Sequence, residues 1–317
     1  MGTGGVGGYF GGRLAQAGHE VWFVARDEHL EALRRDGLRV ASIHGDFAIE
    51  PVHAVADVAE AGPAEAVLVA VKSWQTEEAA RALRPTVGPR TSVLSLQNGA
   101  TAAEEIGAVL GMAPMLGGVC RIMAYLLGPG RITHAGIEPA VVVGELDGTR
   151  SERAQAVVAA FQGCQGVTAT LSDDVRRDIW TKFLFISAVS AVGAVTRAPA
   201  DRFMVVPETR RLLEAALREV ETLARTRGIA LADDVVAKSL SFVDGLPPGA
   251  TASMQRDIME GRPSELDAQS GAIVRMGRES GVPTPAHEYL YAALKPQELQ
   301  ARLTRPSGEP KCLFLVT

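Results

Sequence analysis

The chain has 317 residues, 47% of them hydrophobic and 22% charged, with a formal net charge of −5 at pH 7. That length suggests two domains, and the composition predicts a packed globular core, which excludes a disordered or fibrous chain. The mild negative balance without a long basic run argues against a nucleic-acid surface; no signal peptide is found, and the apolar run over 183–195 is too short to span a bilayer and is interrupted by Ser187, Ser190 and Gly193.

The chain opens with Gly2-Thr3-Gly4-Gly5-Val6-Gly7, which fits G-x-G-x-x-G. A helix is expected over 6–17, a strand over 20–25 and a helix over 27–35. Residues 66–71 form a short, continuously apolar run, of the kind buried on both faces of a parallel sheet. A helix over 74–83, a strand over 92–96 and a helix over 102–110 follow. This alternation predicts a doubly wound α/β domain of Rossmann type. Residues 132–134 and 140–143 read as a strand pair added at the sheet edge, 152–161 as a helix and 167–171 as a last strand. Beyond it the pattern turns helical, over 173–195, 208–227, 232–244, 254–260 and 265–279, with Ser172 a plausible N-cap at the boundary. The expected domains are therefore 1–172 and an all-helical 173–317, with a loose tail expected from about 300.

A glycine loop opening a helix lets backbone approach a pyrophosphate, and the helix offers unpaired N–H groups with a partial positive charge. A Rossmann fold also places a strand ahead of that loop, and Met1 leaves no room for one; either the start is trimmed or the first strand is missing. The strand over 20–25 ends in Ala25-Arg26, where Asp or Glu would bind the adenosine ribose of NAD. An arginine there suits the extra phosphate of NADP. Lys72 in 71–75 and Asn98 in 97–99 follow two strand ends, where ligands bind in such sheets. Cys120, Cys164 and Cys312 form no C-x-x-C and read as buried thiols in a reducing cytoplasm. His134, His287 and the other histidines show no metal spacing, so no metal is expected.

With Gly8-Tyr9-Phe10-Gly11-Gly12, the segment 71–75, Gln97-Asn98-Gly99, Ile179-Trp180-Thr181-Lys182, and 253–257 with Ser264-Glu265-Leu266-Asp267, the chain resembles the ketopantoate reductase (2-dehydropantoate 2-reductase) family from Met1 to about Pro296. The resemblance implies an N-terminal Rossmann domain, a C-terminal helical domain and a cleft between them. It also implies NADPH-dependent reduction of ketopantoate to pantoate, a step toward pantothenate, by a cytoplasmic enzyme. Carried over residue by residue, it makes Gly2, Gly4, Gly5, Val6 and Gly7 the pyrophosphate site and Arg26 the 2′-phosphate arginine. Lys72 and Asn98 become the cofactor- and substrate-facing pair, Lys182 the catalytic lysine, Glu265 the acid of the cleft and Ser253 a substrate contact.

The departures concern amides. Where the family has an asparagine four residues after the lysine, this chain has Ile186; further amide positions are Ser190, Ala200 (following Pro199) and Ala250. A site built to hydrogen-bond a substrate hydroxyl discriminates strongly, so losing these groups should relax or change specificity. A paralogue acting on a different 2-oxo acid is thus an alternative, as is a non-catalytic NADP-binding protein if the first strand is truly absent.

Reduction of a 2-oxo acid needs a donor that protonates the developing alkoxide and a group that holds the carboxylate. Lys182 lies in an otherwise apolar stretch, 180–195, so its ammonium is expected to be partly desolvated, which favours giving up its proton; a lysine snorkelling from a helix flank is the plainer alternative. Glu265 could orient that ammonium or merely stabilise a helix start near Ser264. Arg197 is a candidate carboxylate contact or a solvated helix-end residue, and 245–249 a cleft wall or a plain loop. The apolar helices of the second half read as core, which leaves a homodimer open.

Overall fold

Residues 1–3 bond to the residues of two parallel strand groups and lead at once into a helix. The α-amino group of Met1 donates to Leu68 O at 2.8 Å, Ala70 N donates to Met1 O at 2.9 Å, and Gly2 N and Thr3 N donate to Val24 O at 3.3 and 3.2 Å. The computed structural model describes residues 1–303. Cys312 and most of the expected tail lie outside the described residues; 300–303 end the last helix. The chain divides into two compact units, Met1–Ile179 and Trp180–Thr317.

In chain order the first unit contains α1 (Gly5–Gln16), β1 (Trp22–Val24), α2 (Asp27–Asp36), β2 (Leu38–Ser42), β3 (Phe47–Ile49), β4 (His53–Val55), β5 (Ala66–Val69), α3 (Thr76–Leu83), β6 (Ser92–Ser95), α4 (Ala102–Leu110), β7 (Met115–Arg121), β8 (Ala124–Gly128), β9 (Arg131–His134), β10 (Ala140–Gly144), α5 (Glu152–Gln162) and β11 (Thr168–Leu171). A helix, α6 (Val175–Thr196), carries the chain from this unit into the next.

β1 pairs in parallel with β4, and β5, β6 and β7 form a parallel set; residues 1–3 bond to both groups. All four residues of β6 are buried, as a strand covered on both faces should be. Phe10 of α1 meets Phe161 of α5 edge to face with centroids 5.7 Å apart, inside a core that also holds Phe23, Leu94 and Val141.

The expected edge pair over 132–134 and 140–143 does not exist. β10 lies between β7, to which it is antiparallel, and β11, to which it is parallel. β9 belongs to a second sheet of order β3-β2-β9-β8, where it pairs in parallel with β2. Hydrophobic alternation fixes which face a strand buries, not which neighbour it takes. Arg13 ties α1 to this second sheet: its guanidinium lies 4.1 Å from the Phe47 ring centroid and donates to Gln16 Oε1 at 2.8 Å and to Ser42 Oγ at 3.4 Å.

After α6 the described residues are helical: α7 (Ala200–Phe203), α8 (Pro207–Thr226), α9 (Val235–Asp244), α10 (Ser253–Met259), α11 (Ser270–Ser280) and α12 (Pro285–Leu303). Two expectations need correction. The apolar run 183–195, read as too short to span a bilayer, belongs to α6, whose 22 residues are long and apolar enough to cross a membrane by length and composition; 61% of its apolar window is buried inside the protein. The helix expected from 265 begins only at Ser270, because Glu298 of α12 accepts the Ser264 N–H at 2.9 Å and residues 265–269 form turns closed on Glu265 O. Glu219 of α8 caps the start of α12, accepting from Ala286 N at 2.6 Å and His287 N at 2.9 Å.

The His287 ring is fully buried, with Nε2 donating to Ala216 O at 3.2 Å, and burial pushes its pKa down to about 4 from 6.5. Between those values the unfolded chain binds a proton that the folded chain does not. His287 therefore contributes stability in full above pH 6.5 and loses it as pH falls toward 4, by about 3 kcal/mol. Urea midpoints measured from pH 7.5 to 4.5 should fall less steeply for His287→Asn than for the wild type; parallel curves would remove His287 from the acid response.

Candidate functional site

In the first unit the glycines serve close approach. A Cβ on Gly7 would lie 2.2 Å from Gly2 O, and one on Gly5 would lie 2.4 Å from Ala124 O in β8. Gly2 turns at φ +90°, which favours glycine. Gly4 differs: a Cβ there meets nothing within 4 Å, and as N-cap of α1 it makes no side-chain cap. The loop is thus packed below and open above, where the first-turn amides of α1, with half-buried Val6 among them, lack helical partners. That is the setting in which a helix N-terminus holds an anionic group.

Arg26 follows the carboxyl end of β1 as N-cap of α2. Its guanidinium donates to Glu78 Oε1 of α3 at 2.6 Å, but both side chains are about 60% exposed (59% and 61%), so a phosphate can compete for it. Lys72 follows β5, and its ammonium lies 5.9 Å from the Trp74 ring centroid. Asn98 follows β6 and is half-buried. Between the last two stands Gln97, which donates from Nε2 to Val71 O at 3.0 Å and Thr76 Oγ1 at 2.8 Å while its Oε1 accepts from Ser95 Oγ at 3.0 Å. The structure thereby brings the glycine loop, Arg26, Lys72 and Asn98 to the carboxyl ends of β1, β5 and β6. Gln97 had no positional signal in the sequence beyond sitting next to Asn98, because its partners lie 21 and 26 residues away.

In the second unit, Lys182 is half-buried on α6 between buried Trp180 and Phe183, whose rings meet edge to face at 5.6 Å. Ile186 lies one turn further on; Ser190, one turn beyond that, is fully buried, and its hydroxyl has no hydrogen-bond partner among the described residues. Ser253 is the first residue of α10 and is half-buried. Gln255 registers α10 against its surroundings: Nε2 donates to Ala198 O at 2.8 Å, Oε1 accepts from Ala252 N at 3.3 Å, and the side chain packs where Gly193 leaves room on α6. Ala200 N donates to Ala250 O at 2.9 Å, so two of the positions lacking amides are joined through backbone. Glu265 is buried in the turn ahead of α11. Arg197 follows α6, exposed, at φ +53°. The 245–249 turn is tied to α7 by Gly249 N donating to Asp201 Oδ1 at 2.9 Å.

Comparison with known proteins adds an independent line. The family described as "Ketopantoate reductase PanE/ApbA" matches residues 1–148, and "Ketopantoate reductase PanE/ApbA C terminal" matches residues 174–298. A 2-dehydropantoate 2-reductase of Nostoc sp. (strain PCC 7120) is 32% identical over 300 residues, covering 93% of each chain. The crystal structure of a PanE/ApbA family ketopantoate reductase from Ralstonia eutropha JMP134 superposes with a TM-score of 0.87 at 32% identity, over 95% of this chain and 98% of that one. D-mandelate dehydrogenase, solved with NADH and anilino(oxo)acetate, gives a TM-score of 0.84 at 22% identity over 95% and 97% of the two chains, a likeness of fold.

Because the Gly7 Cβ would meet backbone, Gly7→Ala must displace the loop. Its Kd for a nicotinamide dinucleotide, read by fluorescence titration, should rise by at least about tenfold, or 1.4 kcal/mol. An unaltered Kd would show that the phosphates bind elsewhere.

Proposed function

This chain belongs to the ketopantoate reductase family of oxidoreductases acting on CH–OH groups, and from that premise we propose that it reduces a 2-oxo acid to the 2-hydroxy acid with NADPH, 2-dehydropantoate being the first substrate to test. The observation that carries the reading is the open, uncapped N-terminus of α1 at Gly4, beside Arg26 rather than an acid at the end of β1. These residues fit a phosphorylated dinucleotide: helix amides face the pyrophosphate and the Arg26 fork takes the 2′-phosphate. When bound, the nicotinamide supplies a hydride to the carbonyl carbon.

The remaining work falls to side chains. As the C=O π pair moves to oxygen, Lys182 donates the proton that completes the hydroxyl. Asn98 holds the carbonyl, Ser253 hydrogen-bonds the carboxylate, and Glu265 keeps the Lys182 ammonium oriented. On this reading the product enters pantothenate synthesis in a reducing cytoplasm, where Cys120 and Cys164 stay thiols. Burial pushes the Cys164 thiol up to about 11, which keeps it unreactive.

A second reading, reduction of a 2-oxo acid without the hydroxyl of ketopantoate, is favoured by one observation: Ile186 presents a hydrocarbon one turn from Lys182, and the joined Ala200 and Ala250 carry no side-chain donor. Turnover with ketopantoate and with unhydroxylated branched or aromatic 2-oxo acids separates the two. A strong preference for ketopantoate removes the second, and no NADPH oxidation with any 2-oxo acid removes both.

Lys182→Ala should lower kcat by on the order of 10² or more while leaving cofactor binding nearly intact; full activity would mean another acid operates. Arg26→Ala should weaken NADPH binding by about tenfold and NADH binding far less, whereas Glu78→Gln, which frees the guanidinium, should tighten NADPH. Equal effects on the two cofactors would place the 2′-phosphate away from Arg26.

A further inference from the structure

We infer that His29 is a positioning residue for the dinucleotide loop, fixing the Thr3–Gly4 peptide so that the first amide of the phosphate cradle faces the ligand; this rests on the cofactor site of the proposed function.

His29 stands in the first turn of α2, and both ring nitrogens are engaged. Gly130 N–H, in the turn between β8 and β9, donates to Nδ1 at 2.9 Å. That bond requires Nδ1 to be bare, so the proton of the neutral ring sits on Nε2, which lies 2.6 Å from Thr3 O and donates to it. Burial of the ring lowers its pKa below the ordinary histidine range, in keeping with the neutral form that the two bonds require.

The consequence follows from peptide geometry. A trans peptide points its C=O and N–H in opposite directions, so a carbonyl tethered to His29 turns the Gly4 N–H the other way. Gly4 is the N-cap of α1 and the loop position with open space around it. The Thr3 side of that peptide is anchored separately, through Thr3 N at 3.2 Å and Thr3 Oγ1 at 3.0 Å to Val24 O. On the Gly4 side, Gly4 O accepts the Gly8 N–H at 2.8 Å, which fixes the Gly4–Gly5 peptide but not the Thr3–Gly4 peptide, where glycine adds little resistance to rotation. His29 supplies the missing restraint and passes it to a turn held in place by Arg39 N donating to Gly130 O at 2.9 Å.

Three variants test this. His29→Gln keeps an N–H able to reach Thr3 O, His29→Asn keeps only an acceptor for Gly130 N–H, and His29→Ala keeps neither. Kd for NADPH should rise about tenfold in His29→Ala and His29→Asn and return to within about threefold of wild type in His29→Gln. KM for the cofactor should follow Kd, while kcat at saturating cofactor falls far less. Circular dichroism establishes that each variant is folded; if His29→Ala is not, the contrast between His29→Gln and His29→Asn decides alone. Wild-type affinity in folded His29→Ala or His29→Asn, or no difference between the Gln and Asn variants, overturns the inference. A wild-type chain that binds no nicotinamide dinucleotide overturns the cofactor reading and this inference together.

Discussion

The first unit is built around one backbone constraint. The peptide groups of residues 1–3 must bond to β1 on one side and to β5 and the residue after it on the other, and then leave the next few amides bare at the start of α1. Packing and openness are demanded of the same six residues. Glycine at 5 and 7 answers the first demand, since a methyl group there would overlap Ala124 O or Gly2 O. The lack of any cap at Gly4 answers the second. An unpaired helix terminus is costly when buried and useful when it faces an anion, so the local structure has a stable reason to exist only with a ligand in view.

Around this core the loops after β5 and β6 are held by side chains that take no part in the proposed chemistry. Gln97 satisfies its amide with groups from three places, which fixes the spacing between Lys72 and Asn98. The second unit uses the same device. Gln255 holds α10 to the chain after α6, and Glu298 holds the turn that bears Glu265. Asp267, two residues on, accepts from Tyr291 Oη and Lys295 Nζ, each at 2.6 Å. Buried polar networks of this kind rigidify when every member is satisfied. In both units they lie one residue or one turn from the groups assigned to catalysis, which is where positional error costs most.

The charge arrangement also has a logic. Arg26 pairs with Glu78 across solvent, an interaction weak enough to yield to a phosphate. By contrast Glu145 and Arg153 form a bidentate pair whose carboxylate is largely buried, and its role is to pin α5 to the end of β10. Of these two ion pairs in one unit, the more exposed one is suited to exchange and the less exposed one to permanence.

Much of this was legible in the sequence, for physical reasons that stop at a definite point. Helical periodicity and continuous apolar runs located α1, α2, α4, α5 and α8 and the strands β5 and β6 to within a few residues, because those signals arise from neighbours along the chain. The glycine spacing marked the loop, because no other residue tolerates that approach. Partner choice was not legible: β9 and β10 went to different sheets, and the turn over 265–269 displaced a helix start because Glu298, far away in sequence, takes the Ser264 amide. The bonds that His29, Gln97 and Gln255 make to residues 26 and 101, 21 and 26, and 57 positions away were likewise not legible, although Gln97 and Gln255 lie inside the segments that carry the resemblance. The sequence by itself determined the α/β alternation of the first half, the helical character of the second and the glycine loop, while β2, β3, β4, β7, β8, α7 and α12 left no signal that was read. Only the tertiary structure decided which strands pair and which side chains hold the reactive ones in place, since hydrogen bonds between distant residues leave no periodic trace along the chain.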